Sequence, residues 1–122
     1  DSEKLAQQSL IIMKKFLGPD HSNTISATTN LADIYMECWR LKEAEELYLD
    51  GLERGRRING PDHPNTTRDL HQLAWLMKLQ GRHAEAISLL TECAQVKARV
   101  LGREHYQTVQ TFSTLENWTT MK

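Results

Sequence analysis

Three histidines recur in register along the chain. His21 and His63 each close the segment Gly-Pro-Asp-His, at 18–21 and 60–63, and His105 closes the altered copy Gly-Arg-Glu-His at 102–105. Histidine beside a carboxylate is the residue pair of metal ligation and of acid–base catalysis. A leading glycine is the mark of a loop that cradles phosphate. Spacing decides against all three. The histidines stand 42 residues apart, one per repeat, too far to share an ion. A phosphate loop needs GxxxxGK[ST] after a strand, and the chain carries no strand pattern.

The other reactive side chains lead no further. No serine lies in a nucleophile elbow. No pair of carboxylates is set in an apolar stretch that would raise one pKa. Cys38 and Cys93 occupy unequal positions of the repeat, and neither has a histidine placed to activate it. The reading is of a chain with no catalytic residue, no metal site and no cofactor.

What the recurring segment does is separate structural elements. Residues 18–59 align with 60–101 without a gap and share thirteen identities, among them Leu31/Leu73, Ala32/Ala74, Arg40/Arg82, Glu43/Glu85 and Arg57/Arg99. Residues 1–17 align with 43–59, and 102–122 with the opening of a repeat. The chain therefore divides into a half repeat (1–17), two repeats (18–59 and 60–101) and a terminal half repeat (102–122). Each full repeat reads as two helices, because its apolar residues fall at helical spacing. In the first, Leu31, Ala32, Ile34 and Tyr35 mark a helix within 22–38. Leu41, Ala44, Leu47, Tyr48, Gly51 and Leu52 mark another within 41–58. The second repeat offers Leu73, Ala74, Leu76 and Met77, then Ala84, Ala86, Leu89 and Leu90. A very short turn makes the two helices antiparallel neighbours.

The recurring segment then acts as punctuation. Gly18, Gly60 and Gly102 each follow a helix with Lys or Arg near its end, where glycine accepts the left-handed conformation. Pro19 and Pro61 block continuation. Asp or His caps the next helix, with Pro64 in a first helical turn.

Composition narrows the partners. The chain has 122 residues, 39% hydrophobic and 25% charged, with a net charge of −1. That is a globular balance and not a disordered one. Nucleic-acid binders carry a basic excess that neutralises phosphates, and none is present. No apolar run approaches the roughly 20 residues of a membrane span. Two cysteines are too few for a disulfide framework, so free thiols and a reducing, cytoplasmic location are expected. The chain opens at Asp1 within a helical pattern, which reads as a cut through a longer array.

The pieces "FLGPDHSNTISATTNLADIY", "LKEAEELYLDGL", "NGPDHPNTTRDLHQLAWL" and "GRHAEAISLLTECAQVKARVLGREHYQT" resemble the tetratricopeptide repeat (TPR), in its 42-residue kinesin-light-chain form. They are similar also to the C-terminal TPR arrays of fungal NLR-like proteins. The resemblance implies an all-α, right-handed solenoid of antiparallel helix pairs, about six helices in all. Trp39 departs from the pattern, standing where a turn glycine is usual. Glu116 and Thr119 depart too, at the positions of Ala32/Ala74 and Tyr35/Met77, so the last helix reads as a polar-faced cap whose Leu115 and Trp118 pack backwards.

The resemblance also implies a ligand face along the first helix of each pair. Carried over by alignment, it comprises Ser26, Thr29, Asn30, Asp33 and Glu37, then Arg68, His71, Gln72, Trp75, Lys78 and Leu79, then Gln110, Ser113, Thr114 and Asn117. Arg68, His71, Trp75 and Lys78 form a basic and aromatic stripe of the kind that dominates binding hot spots. The plainer alternative is that Trp75 packs on the next repeat. The positions that would grip a terminal carboxylate carry Thr29 and Asp33, which speaks against that mode. The expected role is protein or peptide binding, as the sensor or regulatory end of an NLR-like protein. The alternatives are a kinesin-light-chain-like cargo adaptor, whose peptides carry an aromatic residue among acidic ones, and a purely architectural array that oligomerises through its cut ends.

Overall fold

The computed structural model describes residues 2–120. Among them are six helices: α1 Ser2–Leu17, α2 Ser22–Glu37, α3 Leu41–Asn59, α4 Pro64–Leu79, α5 His83–Leu101 and α6 Tyr106–Thr120. They fall into two compact units, one of α1 to α3 and one of α4 to α6.

The helix ends follow from local chemistry. Gly18, Gly60 and Gly102 take φ of 87°, 89° and 93°. The Gly60 and Gly102 amides still donate back to the carbonyls of Arg56 and Ala98 at 3.0 and 3.1 Å. Their position ends the helix where any side chain would be strained. His21, His63 and His105 then begin the next helix. Each ring accepts, through Nδ1, the backbone N–H two residues on, at 3.1, 3.1 and 3.2 Å. The recurring histidine is thus an N-cap, and Pro64 occupies the first turn behind it.

The aspartate of the same segment has a second task. Asp20 receives Arg57 at 2.7 Å and also pairs with Arg54. Asp62 pairs with Arg99 in the same way. Each loop is thereby tied to the far end of the second helix of its own repeat. These contacts hold the Asp20 and Asp62 carboxyls below the usual carboxylate range, by hydrogen bonds from Arg54 and Arg99 respectively.

The turn inside each pair is a left-handed helix stop. The Arg40 amide donates to the Tyr35 carbonyl at 2.9 Å, and Arg82 to Met77 at 2.9 Å. The residue between must take positive φ: Gly81 does so at 78°, Trp39 at 61°. A fork from Arg40 to Glu43, repeated from Arg82 to Glu85, braces the first turn of α3 and of α5.

In the first unit α2 packs on both α1 and α3; in the second, α5 packs on both α4 and α6. Ala32, Ala44, Ala74 and Ala86 are buried, and Tyr48, Leu70, Leu73, Leu76 and Leu90 are the largest apolar side chains fully buried with them. Two expectations are corrected. Ala84 is exposed on the first turn of α5, and Cys93 and Ala94 take the core instead. Thr29 is buried, its hydroxyl donating to the Ser26 carbonyl at 3.1 Å, so it does not face a ligand.

Candidate functional site

The second unit contains a groove of about 890 Å³. α4 forms one wall through Arg68, His71, Gln72 and Trp75. The floor is the last two turns of α5, with Val96, Lys97, Val100 and Leu101. The N-terminal half of α6 forms the other wall, with Tyr106, Val109 and Gln110 among its residues. Val100 and Val109 are 49% and 52% exposed, so one part of the groove is open and apolar.

The stripe on α4 divides into two groups. Trp75 lines the groove, yet its ring also packs edge-on against Trp118 of α6, with centroids 4.9 Å apart and planes at 87°. Trp118 is only 5% exposed. Lys78 lies over both indoles, 5.2 and 4.6 Å from their centres, and is not part of the groove lining. The plainer reading of Trp75 therefore holds for much of its surface: it packs on the following half repeat, with Lys78 as a cationic cover. Trp118 packs backwards as expected, while Glu116 and Thr119 are exposed.

His71 sits between these groups. Its Nε2 accepts the Trp75 indole N–H at 3.1 Å. The neutral ring must then carry its proton on Nδ1, which is buried and meets no acceptor among the described residues. Burial first, and the nearby Lys97 charge second, lower the His71 pKa. The ring is a neutral spacer in the wall. Arg68 lies on the same wall, 3.7 Å from the Asp69 carboxylate.

The remaining candidates lie elsewhere. Asn30 and Glu37 are exposed on α2 in the first unit. Asp33, also on α2, accepts the Tyr48 hydroxyl, which commits it to holding α2 and α3 together. Asn117 is exposed on α6 outside the groove lining. Reading the sequence by first helices alone passed over Lys97, Val100 and Val109. A signal for them existed in the repeat register. Lys97 replaces Gly55, and Val100 and Leu101 keep the last turn of α5 apolar after a polar stretch.

Among the described residues no set of three His, Cys, Asp or Glu could hold a metal, and no helix is long and apolar enough to cross a membrane. Cys38 and Cys93 are free thiols. The chemistry on offer is surface complementarity: an open apolar corner, neighbouring cations, and amide side chains that both donate and accept.

Comparison with known proteins bears on the fold and the family. Among curated proteins, none matches the chain. A solved Podosopora anserina structure, described as kinesin light chain nearly identical TPR-like repeats, superposes with a TM-score of 0.86 at 24% identity, over 95% of this chain and 55% of the other. BtubC (BKLC) from P. vanneervenii superposes with a TM-score of 0.82 at 15% identity, over 96% of this chain and 48% of that one. The chain thus spans about half the length of the structures it matches, and its fold is that of the TPR α-solenoid. Residues 24–97 match the family model for the tetratricopeptide repeat, and the chain belongs to that family.

Proposed function

We propose that the chain is a non-catalytic peptide-binding module whose ligand lies in the groove formed by α4, α5 and α6. The carrying observation is the pairing of exposed apolar side chains, Val100 and Val109, with Lys97 and Arg68 in one concavity. Binding hot spots combine apolar anchors with nearby cations in this manner. TPR domains in general bind protein partners, which supports the reading.

The test changes the open apolar corner and leaves the core intact. Val100→Ser combined with Val109→Ser removes two half-exposed side chains. Capture of peptides from a random display library is expected to fall about tenfold or more, the effect of losing one to two apolar anchors. Unchanged capture by the folded double variant would place the ligand elsewhere.

Two parent proteins fit such a module. In the first, the array is the sensor or regulatory end of a fungal NLR-like protein; Glu116 and Thr119, exposed on α6 at the positions where Ala32, Ala74, Tyr35 and Met77 are buried, support it. In the second, it is a cargo adaptor, supported by the kinesin-light-chain description of the Podosopora anserina structure. Sequencing the parent transcript separates them: a GxxxxGK[ST] loop after a strand belongs to the first, a run of heptads to the second.

A further inference from the structure

Trp75 ties α4 to α6. Its ring meets Trp118 edge-on, Trp118 is buried, and Lys78 lies over both indoles. The Trp75 ring is oriented by the hydrogen bond from its indole N–H to His71 Nε2, at 3.1 Å. His71 therefore positions a side chain against which the closing half repeat packs.

The two nitrogens of His71 leave no place for a second proton. Nε2 is an acceptor, and an indole N–H offers it only a donor. Nδ1 is buried and has no partner among the described residues. A proton added to the neutral ring sets Nε2–H against the indole N–H, while Nδ1–H still lacks an acceptor. A buried charge with neither donor satisfied is costly, and the surroundings add to the cost. Arg68 shares the α4 wall, with the Asp69 carboxylate 3.7 Å from it. α5 brings Lys97, whose charge opposes another at the ring. Asp62, on the rim, is held by Arg99. α6 brings Tyr106 to the groove, and its one charged side chain, Glu116, is exposed and outside the lining. An imidazolium is accommodated only by moving the His71 and Trp75 rings apart, and the indole that moves is the one packed on Trp118.

We infer that His71 is an acid-sensitive latch: a proton gained at Nε2 breaks the hydrogen bond to Trp75 and loosens α6 from α4, the two walls of the groove. The inference does not depend on what the groove binds. Burial, and then the Lys97 charge, lower the His71 pKa. The latch is therefore closed at neutral pH and opens on acidification.

The experiment follows hydrogen exchange of the α6 amides and of the Trp75 indole by NMR, from about pH 7.5 to 5.5, where histidine titrates. Each rate is divided by that of an unstructured chain at the same pH. His105 caps α6 through an imidazole acceptor of its own, so every protein compared carries His105→Asn, which keeps the cap. In that background, protection around Trp118 and at the indole is expected to fall together by about fivefold on acidification, the weight of one hydrogen bond. α3, in the other unit, should keep its protection. His71→Gln accepts from the indole but takes up no proton, and its loss should be about twofold or less. The same is expected of Trp75→Phe, which keeps a ring against Trp118 but has no N–H to oppose the imidazolium. Should Trp75→Phe not fold, the indole of the parent protein decides: α6 amides that lose protection while the indole keeps its own overturn the latch. So does an equal acid loss in folded His71→Gln, and so does α6 protection that does not change with pH.

Discussion

Trp39 holds the left-handed backbone that its counterpart Gly81 adopts freely, and its side chain is 69% exposed. The conformation costs a non-glycine residue about 1–2 kcal/mol, and little packing offsets it. Trp39→Gly relieves that strain but loosens the unfolded chain by about 0.5–1 kcal/mol. A net gain of up to about 1 kcal/mol is expected, read as a higher urea midpoint at unchanged slope. Gly81→Ala should move the midpoint the other way. His71 supplies a second residue-scale prediction. Its folded pKa is lowered, chiefly by burial, so the unfolded state takes up the proton first. The contribution of His71 to stability is therefore complete above the unfolded histidine value and declines as pH falls through it. An imidazolium could not accept the Trp75 indole N–H, which acts in the same direction. Between about pH 7.5 and 5.5, where histidine titrates, the wild type should lose more stability than His71→Gln. Equal losses in the two proteins would show that His71 titrates normally.

At the scale of elements, the repeated segment is a compact device. Glycine ends one helix, histidine caps the next, and aspartate ties the loop to an arginine thirty-odd residues on. His63→Ala removes the cap of α4 and is expected to cost about 1 kcal/mol, while His63→Asn, which also accepts from the helix amides, should recover most of it. Denaturant unfolding of the two variants distinguishes a cap from a general packing effect. The Asp62 and Arg99 pair is exposed and its weight should fade with added salt.

For the molecule as a whole, the buried thiol reports opening of its unit and the exposed one serves as the reagent control. Cys38 is exposed in the first unit, and Cys93 is buried in the second with its thiol pKa raised by burial. A thiol reagent should label Cys38 rapidly and Cys93 only on opening. Trp118→Ala empties the space against Trp75 and removes one ring from beneath Lys78. Loss of a buried tryptophan costs about 3–5 kcal/mol, so labelling of Cys93 should accelerate sharply while that of Cys38 stays the same. Labelling of Cys93 at the wild-type rate would show that the packing around it does not depend on Trp118.

Local rules carried much of this fold into the sequence. The period of 42, the positive-φ glycines and the apolar spacing belong to short stretches of chain, and they place helices near 22–38 and 41–58 where α2 and α3 stand. The caps were legible for the same reason, since a cap acts over two or three residues. The candidate groove was only half legible. Alignment pointed to Arg68, His71, Gln72 and Trp75, and to Gln110, Ser113 and Thr114, all of which line it. It could not show that Lys78 is taken up by two indoles or that Asp33 is held by Tyr48, because these contacts join residues brought together only by packing. Nor could it show Lys97 in the groove floor. Whether a side chain is free for a ligand depends on which neighbours reach it across helices, and that is decided by tertiary structure alone.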